Sequence, residues 1–285
     1  MPSLLKIPQE WKDKMEDPAF CSSRQEELDN RLAADLGEQI SKGTFTPYLY
    51  KYRGIDHALD MIENQRVKFS LVGEFGDPFD GRYIAKNLTP EIAMSRLKPY
   101  MQHVDGITTD DYQRIEAEIV KEETYYAILD YMLQEQSGVF CSTVVSNNIL
   151  MWAYYGQSHE GVCMEFDIRE DLKLFACSRH VNYQKQIPLI DFFSAPDNYE
   201  AFWDSILNKE PHWRYEVEMR TIKRYFHGFR HFAPLALNAV IFGVKTSSKD
   251  KQRIKDALRR NGLSHVMLWQ ADVDDRQYRI NIRRL

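Results

Sequence analysis

The chain has little cysteine: four residues, Cys21, Cys141, Cys163 and Cys177, none in a Cys-x-x-Cys pair or with a histidine at zinc-finger spacing. A disulfide framework and a structural metal site are therefore not expected, and the thiols read as buried and reduced. Long apolar runs are missing as well. None reaches the ~18 residues a membrane helix needs, and the start is polar and acidic where a signal peptide would be apolar. The expectation is a cytoplasmic protein with no membrane partner. Charge of one sign is not in excess either: 37 Lys and Arg stand against 42 Asp and Glu, a net charge of -5 spread over mixed runs. No whole-protein field would draw in a nucleic-acid backbone, so nucleic acid is not an indicated partner. Finally, there is no Gly-rich phosphate loop, no His-Glu-x-x-His helix and no Gly-x-Ser-x-Gly elbow, which removes the enzyme classes built on them.

What is present is a chain of 285 residues, 44% hydrophobic and 13% aromatic, enough for a large core without staples. Leu28, Leu32, Leu36 and Ile40 recur at four-residue spacing and predict an amphipathic helix over 24–40. Residues 1–46 thus read as an N-terminal helical arm. Tyr48 to Arg53 reads as an aromatic strand, 56–64 as a short helix, and 67–71 as an alternating strand. From Thr89 to about Gln136 the pattern is helical, an insertion or lid, with 109–136 as one long helix. Strands are then expected at 139–143, 161–167, 179–183, 216–225, 239–244, 265–269 and 278–282. Helices are expected around 149–152, with Ser146 as cap, and at 198–207 and 248–260. No repeat or linker forces a cut. Residues 47–285 read as a single α+β domain of mixed, mostly antiparallel sheets with a helical insertion at about 89–136.

Several side-chain constellations could carry chemistry. Glu216-Val217-Glu218 on a strand would put both carboxylates on one face, with Arg214 and Arg220 alternating onto it as a ladder. That ladder could equally be a self-satisfied structure. Phe75-Gly76-Asp77-Pro78-Phe79-Asp80 is a stiff loop whose two acids could converge on a cation or ribose, though aspartates in such turns commonly bond their own backbone. Trp152 and Tyr155 share a helix face with His159 beyond them, either as core or as an aromatic wall for a base. A metal-dependent nuclease could use Asp167, Glu216 and Glu218, but the lysine that usually follows the second acid is absent.

Three segments in order are similar to the bacterial domain-of-unknown-function family 2971. They are Leu49-Tyr50-Lys51-Tyr52-Arg53 with Phe75 to Asp80, then Leu150 to Gly156 through Gly161 to Asp167, and finally Trp213 to Arg220. The resemblance covers about 47–245. It departs at Gly76, where the family usually has Asn, and at Tyr154, where it commonly has His. Many such proteins are found among phage-defence genes, so the resemblance implies an effector or sensor with a protein partner from a defence operon. The chain also resembles ADP-ribosyltransferases in strand order: a basic residue on a first strand, Ser or Thr on a second, Glu-x-Glu on a third. That resemblance implies Glu218 and Glu216 as catalytic acids at an oxocarbenium-like ribose. It implies NAD as substrate, held by Arg53, Ser142 and Thr143, with Tyr50 or Tyr52 stacking on nicotinamide and Trp152 and Tyr155 forming a wall. An ADP-ribosyltransferase or NAD glycohydrolase without a metal would follow; the other outcome is an inactive protein- or nucleotide-binding module.

Overall fold

In the computed structural model, positions 13 and 113 and residues 16–85, 131–190 and 199–285 are described. The expected helical insertion lies outside the described residues except for position 113 and its end, where Tyr131–Glu135 forms a π-helical turn. The first helix, α1 (Pro18–Ser41), starts earlier than the leucine spacing implies. Proline has no N–H to lose in a first turn and so suits a helix start. Strand β1 (Tyr48–Arg53) leads through Gly54 into α2 (Ile55–Asn64), which ends at left-handed Gln65. Then follow β2 (Arg66–Leu71), β3 (Ile84–Ala85) and β4 (Gly138–Thr143).

Helix α3 (Ile149–Tyr154) is capped by Asn148, whose side chain accepts from the N–H groups of Leu150 and Met151 at 2.9 and 3.1 Å. Ser146 is not the cap; its carbonyl accepts from the Trp152 indole at 3.0 Å. After β5 (Val162–Asp167), the strand expected at 179–183 divides into β6 (Ser178–His180) and β7 (Asn182–Tyr183). The chain continues through β8 (Leu189–Ile190), α4 (Tyr199–Ile206), β9 (Asn208–Lys209), β10 (Glu218–Lys223) and β11 (Gly228–His231). It closes with β12 (Leu237–Phe242), α5 (Ser248–Arg260), β13 (Met267–Val273) and β14 (Ile280–Arg284).

Among the described residues, ten strands form one sheet in the order β11-β2-β4-β1-β5-β12-β13-β14, with β10 on the other edge of β4 and β6 beyond it. Its pairings are antiparallel except β12 with β13, so the fold is α+β and mostly antiparallel, as the sequence indicates. One face is covered by α2 and α5, whose Ala58, Ile62, Ile254 and Ala257 pack with Leu49, Phe140, Val162 and Phe166. The opposite face carries two smaller apolar clusters, one around Val139, Ile222, Leu28 and Trp203, the other around Tyr52, Trp152 and Cys163.

Strand β4 is the junction. Along one edge it pairs with β10 through all six residues, while its other edge is shared. There β2 takes Gly138 and Val139 and β1 takes only Thr143, opposite Tyr50. The middle of that edge has no strand partner among the described residues, and an unpaired buried carbonyl is costly. Lys51 fills the gap by donating to the Cys141 carbonyl, its ammonium 5.0 Å from the Phe140 ring centroid.

A candidate site in the charged seam between two apolar clusters

Glu216 and Glu218 do not alternate along one strand. Glu216 ends a 3-10 turn (Pro211–Glu216), Val217 is left-handed at φ 44°, and Glu218 opens β10. A β-branched residue in that region is strained. The surroundings fix it. Thr143 donates its hydroxyl to the Glu216 carbonyl at 2.6 Å, Asn148 donates to the Tyr215 carbonyl at 2.7 Å, and the Tyr183 hydroxyl accepts from the Glu218 N–H at 2.9 Å. The strained turn, instead of strand periodicity, brings both carboxylates to one cation.

That cation is Lys209, on β9. Its ammonium lies 2.6 Å from Glu216 Oε2, 2.9 Å from Glu218 Oε2 and 3.9 Å from Asp80 Oδ2. Arg220 is fully buried and completes the network, with Nε 3.0 Å from Glu218 Oε1 and a terminal nitrogen 2.7 Å from Asp80 Oδ2. It also donates to the Ile206 carbonyl. Tyr155 donates to Glu216 Oε1 at 2.5 Å. Three carboxylates therefore face two cations, and Asp80 Oδ1 is buried with no hydrogen-bond partner among the described residues. Burial pushes the Glu218 carboxyl up, but Arg220 and Lys209 outweigh it and hold the group below the usual carboxylate range. Asp80 goes the other way: burial raises it, and Arg220 and Lys209 only partly offset this. The half-buried Cys141 thiol, against Glu218, is pushed up to about 12, first by burial and then by that carboxylate.

Sequence reasoning missed Lys209, Asp80 as an ion-pair partner, and Tyr183. Lys209 sits in a two-residue strand with no pattern to mark it. Asp80 is three residues beyond Asp77 in a loop; Asp77 does bond its own turn, accepting from the Phe79 N–H at 2.9 Å. The expected Arg214 rung is absent: Arg214 is exposed on the 3-10 turn.

The proposed ligand-binding residues do not converge. Tyr50, Thr143 and Glu218 form one row across β1, β4 and β10. Strand alternation puts Ser142 and Arg53 on the opposite face, with Arg53 a further ~10 Å along β1. Ser142 donates to the Met219 carbonyl at 3.2 Å, and Thr143 clamps the strained turn. Tyr52 and Trp152 are core residues, 2% and 0% exposed, stacked edge to face with centroids 5.0 Å apart. Tyr50 lies beside Glu165, with burial first and that carboxylate second raising its phenol. Of the set, Tyr155 alone hydrogen-bonds a candidate carboxylate among the described residues. His159 belongs to the left-handed turn Gln157–His159, against Gly243 and Lys245 that follow β12. Burial, then Lys245, lowers its pKa.

Asp167 is held by Arg169 and lies on β5, three strand steps from β10. At about 4.8 Å per step this is ~14 Å, too far to share one ion with Glu216 and Glu218. Among the described residues, no group of three His, Cys, Asp or Glu is placed to hold a metal. A groove of about 440 Å³ between α2 and α5 is lined by Asp56, Asp60, Glu63, Arg253 and Arg260, on the other face of the sheet. Its charges pair with one another, Arg253 with Asp56 at 2.8 Å and Arg260 with Glu63 at 3.2 Å.

A mostly antiparallel α+β sheet with a buried ionic seam on one face thus defines the molecule. Residues 151–221, which run from α3 to β10 and contain Lys209, Glu216, Glu218 and Arg220, match the family model described as Protein of unknown function (DUF2971). The match supports the family resemblance, on a stretch narrower than the 47–245 of the resemblance. No curated protein and no solved structure matches it. No helix among the described residues is long and apolar enough to cross a membrane.

Proposed function

We propose that this protein is a nucleotide-binding module without turnover, with NAD as the first ligand to test, serving as a sensor or effector in anti-phage defence. The observation that carries the absence of turnover is the state of Glu218. Both of its oxygens are engaged, by Arg220 and by Lys209, and the residue is 4% exposed. An acid that must meet a ribose in a transition state needs a free oxygen facing a substrate. The defence setting rests on the family resemblance alone, as does a protein partner from a defence operon.

ADP-ribosyl transfer or NAD hydrolysis is the second reading. One observation favours it: the strands bearing Tyr50, Thr143 and Glu218 are neighbours in the order that the transferase resemblance implies. The two readings part in a calorimetric titration with NAD followed by assay of free nicotinamide. Binding with no nicotinamide formed is the expected result. Nicotinamide release that disappears in a folded Glu218→Gln variant establishes turnover instead, and no heat of binding at millimolar NAD removes both.

A further inference from the structure

Beside the buried carboxylates, the rings of Tyr154, Tyr215 and Trp213 form a continuous row. Centroids are 6.4 Å apart between Tyr154 and Tyr215 and 6.1 Å between Trp213 and Tyr215, with neighbouring rings inclined by 39° and 40°. The row begins in solvent, where Tyr154 is 69% exposed, and ends where the Lys209 ammonium lies 5.0 Å from the Trp213 ring centroid. Helix α3 and the 3-10 turn before Glu216 supply it, joined by the Asn148 bond to the Tyr215 carbonyl. Tyr52 and Trp152 fill the core; Tyr215 packs against their cluster yet, like Trp213, is only half-buried. Arg214, between the two ring-bearing residues of the turn, is exposed; its carbonyl accepts from the Val217 N–H at 3.2 Å, and its guanidinium has no hydrogen bond or ion pair among the described residues.

We propose that this row is a base-stacking platform that takes the flat base of a mono- or dinucleotide, with Arg214 meeting its phosphate; this rests on the nucleotide-binding reading and gives it a location. Half-exposed rings held in fixed positions offer π-faces to any base at little entropic cost. A free guanidinium matches phosphate oxygens by charge and geometry. The surroundings favour a small nucleotide over a nucleic-acid strand. Glu210, which accepts from the His212 N–H at 2.7 Å, flanks the turn, an acid that a polyanion would avoid.

The test is titration of the full chain with NAD, AMP and adenosine, with oligothymidylate as a separate probe. Tyr154→Ala and Trp213→Ala are expected to weaken NAD and AMP at least about fivefold each, and Trp213→Phe to stay within about twofold of the parent. Arg214→Gln is expected to weaken AMP and leave adenosine unchanged. Tyr154 lies at the solvent end of the row, so its truncation leaves the fold intact, which thermal unfolding verifies. Undiminished NAD and AMP binding by Tyr154→Ala and Trp213→Ala overturns the platform while the nucleotide-binding module stands. Oligothymidylate binding lost in Trp213→Ala, with neither nucleotide bound, overturns the module and the ligand class together. No binding of any probe to the parent protein overturns both as well.

Discussion

At the scale of single residues, Lys209 decides the state of the seam. With 8% of its side chain exposed, it brings its ammonium within 3 Å of a carboxylate oxygen of both Glu216 and Glu218. Removing one partner from a buried ionic network leaves uncompensated charge, which typically costs about 3–5 kcal/mol. Lys209→Met is therefore expected to lower the urea unfolding free energy by about that amount. Adding Glu216→Gln to it should recover part of the loss, because one of the two facing carboxylates is then neutral. A loss within about 0.5 kcal/mol, the range of ordinary surface substitutions, would show that the seam is solvated and the charges independent. The two glutamates were legible in the sequence as a pair needing a counter-charge. The identity of that counter-charge was not, because Arg214 is close in sequence and Lys209 is close only once the chain turns at Pro211 and Val217.

At the scale of elements, the divided edge of β4 has a measurable consequence. Lys51 is half-buried, with its ammonium enclosed in the gap left where β1 departs and β2 takes over. Burial first and Arg53 second lower its pKa from 10.5 to about 7, against the smaller pull of Cys141, Glu218 and Glu216. In the unfolded chain the amine keeps its proton up to about 10.5, while in the folded protein it releases it near 7. Between those values the unfolded state binds more protons, so this group makes stability rise with pH; below about 7 both states are charged and the full penalty is present. The difference in unfolding free energy between the parent and Lys51→Met is expected to change steadily from pH 7 to about 8.5, and thiol titration, common to both proteins, cancels in that difference. Parallel stability curves over that interval would mean the ammonium is solvated. The strand itself was evident from Tyr48 to Arg53. That its lysine would plug a sheet was not, since a gap in a ladder depends on where two other strands pair.

At the scale of the whole molecule, the N-terminal helix belongs to the body. Leu36 is buried with Phe140 and Phe166, and Leu28 is buried with Val139 and Ile222. Asp29 lies 2.5 Å from Lys223 and 2.9 Å from Arg230, neutralising a fully buried lysine. A chain beginning at Pro47 should show no cooperative thermal transition and should bind a dye for exposed apolar surface. A sharp transition near that of the full chain would make the helix dispensable. What the sequence by itself determined was local: strand-forming residues drew β1 and β4, alternation drew β5, four-residue spacing drew α1, and the pattern over 248–260 drew α5, because propensity and periodicity are written in neighbouring residues. The α+β class and its mostly antiparallel pairing followed from those elements. Only the tertiary structure decided which side chains meet. Arg53 and Glu218 lie on opposite faces because one residue of register inverts every side chain along a strand. Tyr154 meets Tyr215, and Asp80 meets Arg220, across 61 and 140 positions because packing, unlike periodicity, leaves no mark at fixed spacing.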